Sequence, residues 1–108
     1  MQFYRVLILR MKVILDDIIF YLQTAGGISN LWNEHEKYLN EVQEFKCEIV
    51  RYGESRNIFI TNYANLPVIN RKLSRYTRYI NPKIKRDEKY IFHSSYYRVS
   101  KSKNAINV

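Results

Sequence analysis

The sequence predicts an α/β fold, a Rossmann-like parallel sheet flanked by helices, and three observations predict it. Short apolar runs recur at 11–17, 46–52 and 89–93, each bounded by acids, glycine or polar residues as buried strands are. Between the first two runs lies a segment with helical spacing, and a second such segment lies between the later two. Strand, helix, strand, helix, strand in that order favours a parallel sheet with crossover helices. The 108 residues allow one domain at most. A single cysteine, Cys47, excludes a disulfide scaffold and suits a reducing compartment.

The first strand is expected at 11–17, Met-Lys-Val-Ile-Leu-Asp-Asp, an apolar run ending in an acid pair. Residues 1–10 sit awkwardly ahead of it. Met11 offers an alternative start, which would make 1–10 an extension ahead of a domain covering 11–108. A loop follows and closes on Gly26-Gly27. The next helix should bury Ile28, Leu31, Trp32, Tyr38, Leu39 and Val42, and turn Asn33, Glu34, Glu36, Lys37, Asn40 and Glu41 to solvent. Ser29 or the glycines can cap it, and Glu34 and Glu36 suit its dipole. Residues 46–52 alternate, with Cys47, Ile49 and Arg51 against Glu48 and Val50, and end at Gly53, which predicts a second strand. Residues 58–61 are β-rich but short.

A second helix is expected over 66–80, with Pro67 in its first turn and Asn81-Pro82 as its stop. Its stripe would be Ile69, Leu73, Tyr76 and Ile80, with Arg71, Arg75 and Arg78 on another face. Strands at 89–93 and from 105 complete the pattern. The apolar run reaching Val108 without a closing helix predicts a sheet that continues past this point, so that 11–108 would be a truncated N-terminal domain.

The net charge is +8, and it is lopsided: residues 1–50 sum to −2 and residues 51–108 to +10. Ile, Asn, Lys and Tyr make up 42 of the 108 residues, so A/T-rich codon usage contributes to the lysine content. The most apolar stretch is broken by Arg10, Lys12, Asp16 and Asp17, which excludes a spanning helix. No clean apolar region precedes a small-residue cleavage site, so a cytoplasmic location is the expectation.

The turn Gly26-Gly27-Ile28-Ser29 opens a helix after a strand, an arrangement whose N–H groups attract phosphate. Its bland reading is a loop that needs positive φ. The spacing fits neither the dinucleotide fingerprint nor the P-loop. No His, Cys, Asp or Glu group has metal spacing, no metal site is expected, and no Ser-His-Asp set can be assembled from Asp16 and Asp17. His35 reads as packing on its helix. His93, at a strand end, either faces a ligand cleft or bonds to nearby backbone.

The stretch Asp16-Asp17-Ile18-Ile19-Phe20-Tyr21-Leu22-Gln23-Thr24-Ala25-Gly26-Gly27-Ile28-Ser29, with Trp32 beyond it, resembles the D-x-x-[IV]-F-x-x-Q-x-x-G-G-I-S segment of family 4 retaining glycosyltransferases, which have the GT-B architecture. Ile91-Phe92-His93-Ser94-Ser95-Tyr96-Tyr97 is similar to a strand-end F-H-S-T-Y-Y of the same group, and residues 103–108 to the strand after it. The resemblance covers residues 11–108, corresponding to about the first third of a family member. It implies that Gly26, Gly27, Ile28 and Ser29 lie against donor phosphates and acceptor, and that Asp17 and His93 face the interdomain cleft. Asn30 departs from the family, where arginine is common, so a charge-neutralising role there lacks support. The T-V-H-D segment and the donor-side Glu-x7-Glu motif are not in this sequence. No catalytic residue is therefore assigned. The nucleotide-sugar donor enters as substrate, no cofactor is expected, and the chain alone should be inactive.

Residues 71–86 carry seven basic residues and no acid. With their tyrosines, Arg71, Lys72, Arg75 and Arg78 suit an anionic membrane surface at the inner face of the membrane, or nucleic acid less well, or simply a solvated helix face. The reading is then a fragment of a transferase that moves a sugar from a nucleotide donor to a glycan or lipid-linked acceptor in cell-surface polysaccharide synthesis. The alternative is a self-contained small basic α/β binding module without catalysis.

Overall fold

A computed structural model describes residues 12–42 and 46–108, so the expected extension at 1–10 lies outside the described residues. Strand β1 (Lys12–Asp16) leads into a short helix α1 (Ile19–Leu22) and a long one, α2 (Gly27–Val42). Strands β2 (Lys46–Arg51), β3 (Val68–Asn70), β4 (Tyr90–Ser94) and β5 (Ala105–Asn107) follow, with a 3-10 turn at Thr77–Tyr79. The five strands form one sheet in the order β3-β2-β1-β4-β5, and every neighbouring pair is parallel. The α/β, parallel, Rossmann-like reading therefore holds.

β1 sits at the centre because it is apolar on both faces: Val13, Ile14 and Leu15 are all fully buried. Odd positions of the central strands point one way. Val13, Leu15, Ile49 and Ile91 pack with Trp32 and Leu39 of α2. Even positions point the other way, where Ile14, Val50, Phe92 and Tyr90 pack with Ile84. Each such side chain taken from water stabilises the fold by about 1.5–3 kcal/mol. Among the described residues, α2 is the one long helix, and it covers the odd face; the even face is closed by irregular chain carrying Ile84 and Tyr96.

The helix expected over 66–80 does not form. Val68–Asn70 is a strand beside β2, tied by Ile49 N donating to Pro67 O (2.9 Å) and Arg71 N donating to Arg51 O (2.8 Å). Two physical terms decide against the helix. Val68 and Ile69 are β-branched and satisfy an otherwise open strand edge. A helix would also stack Arg71, Arg75 and Arg78 at spacings of four and three, where like charges repel. The sequence after β3 instead runs irregularly, with Arg71, Lys72, Arg75 and Arg78 all exposed. The basic amphipathic helix is thereby corrected to a basic loop. The β-rich residues 58–61 form no strand either.

α2 also turns differently from its expected pattern. Its buried positions are Ser29, Trp32, Glu36 and Leu39, spaced three, four and three apart, while Ile28 and Leu31 are exposed at 53% and 69%. No acid lies in its first turn, so the expected dipole role of Glu34 and Glu36 falls away. No helix among the described residues is long and apolar enough to cross a membrane.

Candidate functional site

The C-terminal ends of β1 and β4 are adjacent, with β1 paired to β2 on its other side. Successive connections leave this point toward opposite edges of the sheet, which is where open parallel sheets bind ligands. The acid pair at the end of β1 divides between the faces, and each acid has captured a buried arginine.

On the α2 face, Asp17 is fully buried. It accepts hydrogen bonds from Trp32 Nε1 and Arg51 Nε, each at 3.0 Å. The same guanidinium donates to Asn62 Oδ1 (3.0 Å) and Thr61 O (2.5 Å) and lies 3.5 Å from Glu36 Oε1. Glu36 is itself fully buried. Burial raises its pKa first, the Asp17 charge and a hydrogen bond to Asp17 raise it further, and the carboxyl is pushed up to about 11. Arg51 pulls it down, but from a greater distance than it holds Asp17. At neutral pH Glu36 therefore keeps its proton and donates it to Asp17, while Asp17 balances Arg51. Asp17, expected to face a cleft, is turned inward as the anchor of this network.

On the opposite face, Asp16 meets Arg98, with Nε 3.1 Å from Oδ2 and Nη2 3.2 Å from Oδ1. Tyr52 OH (2.9 Å) and Ser94 Oγ (2.7 Å) also donate to Asp16. Arg98 further donates to Thr77 O (2.9 Å) and to the Tyr52 hydroxyl. Burial raises the Asp16 carboxyl, and Arg98, Ser94 and Tyr52 partly oppose that rise. These two buried networks fix the C-terminal ends of β1, β2 and β4 against each other.

The turn at 26–29 stands beside the first network. Ser29 Oγ donates to Gly26 O (3.1 Å), and Asn30 N donates to the same oxygen (3.0 Å), opening α2. Ser29 is therefore not an N-cap donor-acceptor in the expected sense; its hydroxyl turns back and is buried. Positive φ is not needed at Gly26 or Gly27, since among the described glycines that conformation falls on Gly53 (φ 87°). At Gly26 a Cβ would come within 2.5 Å of Gln23 Oε1, the far end of a side chain that would have to shift. At Gly27 a Cβ would meet nothing within 4 Å, so the helix start is open to approach. The first N–H groups of a helix lack intrahelical acceptors, which leaves this turn able to receive an anion.

His93 lies at the end of β4 on the α2 face. Its ring centroid is 5.0 Å from that of Trp32 and 5.7 Å from that of His35. Burial lowers both imidazoles. His35 is pushed down to about 4, chiefly by burial and then by the neighbouring His93. Both rings are neutral at physiological pH, and His35 packs as expected. Beside Arg51 a recess of about 590 Å³ opens at the C-terminal edge, with Gly53, Ser55, Asn62 and Asn70 on its walls.

Sequence reasoning missed Arg51 and Arg98. Arg51 carried a signal, because alternation puts it on the same face as Cys47 and Ile49. A strand arginine in the apolar register needs an acid, and Asp16-Asp17 were at hand. Among the described residues no group of three or more His, Cys, Asp or Glu could hold a metal ion. Comparison of the chain with protein-family models, with curated proteins and with solved structures gives no match in any of the three.

Proposed function

We propose that this chain is the acceptor-side domain of a GT-B type glycosyltransferase, binding at its 26–29 turn the diphosphate of a nucleotide sugar that is transferred to a glycan or lipid-linked acceptor. The observation that carries the reading is positional. The Gly26-Gly27-Ile28-Ser29 turn, with an open Gly27, starts a 16-residue helix at the C-terminal edge of the sheet's central strand. Fixed helix N–H groups and the positive end of the dipole then meet the donor's phosphates. On the same face of the sheet His93, partly exposed at the end of β4, packs against the buried Trp32. Cell-surface polysaccharide synthesis on the cytoplasmic side is the setting that the sequence resemblance implies. Arg71, Lys72, Arg75 and Arg78, exposed beside Leu73, Tyr76 and Tyr79, support contact with an anionic membrane from a loop rather than a helix.

In the resembled family a second domain holds most of the donor, and closure of the two halves excludes water. Binding without turnover is therefore expected here. Amide NMR with UDP-glucose and GDP-mannose tests the reading. Shifts centred on Gly26, Gly27, Ile28, Ser29 and His93, lost in Gly27→Asp, are the expected result. That substitution adds a side chain into open space and a negative charge at the anion turn. No response of these residues to either nucleotide sugar overturns the reading.

A further inference from the structure

We infer that a cationic recess at the N-terminal edge of β4 and β5 is a binding site for a soluble phosphate oligoanion of the pyrophosphate kind. The recess has a volume of about 530 Å³ and is walled by Lys83, Lys85, Arg86, Lys101 and Lys103, with Asp87 as its one carboxylate. It lies at the opposite edge of the sheet from residues 26–29, and stands independently of the transferase reading.

The two walls are built by alternation. Pro82 and Ile84 are buried while Lys83 and Lys85 between and after them are exposed. Ser100 is buried while Lys101 and Lys103 are exposed. The buried partners anchor each wall: Tyr90 OH donates to Ile84 O (2.6 Å) and is 2.6 Å from Ser100 Oγ. The walls are also tied to each other, by Lys101 N donating to Pro82 O (2.8 Å) and Asn104 Nδ2 donating to Arg86 O (2.7 Å). Hydrogen-bonded backbone thus holds four lysines around one concavity.

Most of their charge goes unanswered within the fold. Among the described residues, Lys83, Lys85, Lys101 and Lys103 make no ion pair, and Arg86 shares Glu48 with Lys12. Gathered like charges repel one another, and a compact multivalent anion converts that repulsion into attraction. The volume is within the range of about 300–1,000 Å³ common for ligand pockets. No apolar side chain lines it, so nothing there would enter a bilayer. That favours a dissolved phosphate ligand over a lipid surface.

Isothermal titration of the full chain with sodium pyrophosphate tests this. The double variant Lys85→Gln/Lys103→Gln should bind about tenfold more weakly, taking each exposed charge contact near the upper end of its usual range. The control Arg75→Gln/Arg78→Gln removes the same charge elsewhere and should change binding less than about twofold. All four positions are exposed, and amide spectra check that both variants stay folded. No binding by the native chain, or equal loss in both variants, overturns the inference. In a second arm the chain is floated with phosphatidylglycerol vesicles. Flotation that needs Lys85 and Lys103, without pyrophosphate binding, also overturns it and assigns the recess to lipid headgroups.

Discussion

Replacing Glu36 by glutamine should leave stability near pH 4.5 little changed, raise it by about 3.5 kcal/mol over the parent at pH ~7, and remove a pH dependence. Glu36 has an ordinary pKa of 4.5 and is pushed up to about 11 in the fold, by burial first and then by Asp17. Between those values the native chain holds a proton that the unfolded chain has released. Raising the pH therefore favours unfolding. The contribution is fully present below about 4.5 and is lost as pH climbs toward 11. One proton changes stability by about 1.4 kcal/mol per pH unit, so from pH ~7 to pH ~8.5 the loss is about 2 kcal/mol. Against a typical total of about 5–15 kcal/mol that is readily measured. The amide introduced by Glu36→Gln is a neutral isostere with an N–H to donate to Asp17, and it has no proton to lose. The titrations of His35, His93 and every other group cancel when variant and parent are compared. Urea unfolding followed by fluorescence of Trp32, the single tryptophan, is the assay. Parallel pH profiles for the two proteins would mean that Glu36 is ionised in the fold, and the proton-sharing account would be wrong.

Three further outcomes follow from the same geometry. Arg98→Met leaves Asp16 buried without its charge partner and should cost about 3–5 kcal/mol at neutral pH; a loss under about 1 kcal/mol in urea unfolding would show that Tyr52 and Ser94 suffice. His35 should stay neutral by imidazole NMR until about pH 4, so stability falls as pH drops from about 6.5 toward 4, the unfolded chain taking up the proton first. An ordinary titration near 6.5 would contradict the burial of that ring. Gly53→Ala forces a side chain to φ 87° and should cost about 1–2 kcal/mol by thermal or urea unfolding, although no atom lies within 4 Å of the new Cβ.

The elements most legible in the sequence were those whose signal is local. Val13 to Leu15, Ile49 with Val50, and Tyr90 to Phe92 are buried on both faces, so continuous apolar runs located β1, β2 and β4 to within a residue or so. Residues 66–80 misled because Ile69, Leu73, Tyr76 and Ile80 do recur at helical spacing. What overrode that spacing is β2's open edge, a tertiary fact that no local window contains. Glu36 was misassigned for a related reason. A buried glutamic acid is read as exposed unless its partners are known, and those partners, Asp17 and Arg51, lie on β1's end and β2. At the candidate site, the turn at 26–29 was legible from its glycines, whereas Arg98 sits in Tyr-Tyr-Arg-Val-Ser with no pattern to announce it.

The position of β1 has a consequence for how the chain can acquire its fold. One side of this strand pairs with β2, which follows soon after in the sequence, but the other waits for β4, with 78 residues separating Asp16 from Ser94. As the polypeptide leaves the ribosome, Val13 to Leu15 must remain half unpaired until the whole of 46–94 has been made. Parallel pairings between such distant segments close large loops and form late. The interval is one in which an apolar strand offers a free edge to any neighbouring chain. Arg98 emerges after β4 and bonds to Asp16 at the end of β1, so the ion pair they form can only seal the sheet once its centre is complete.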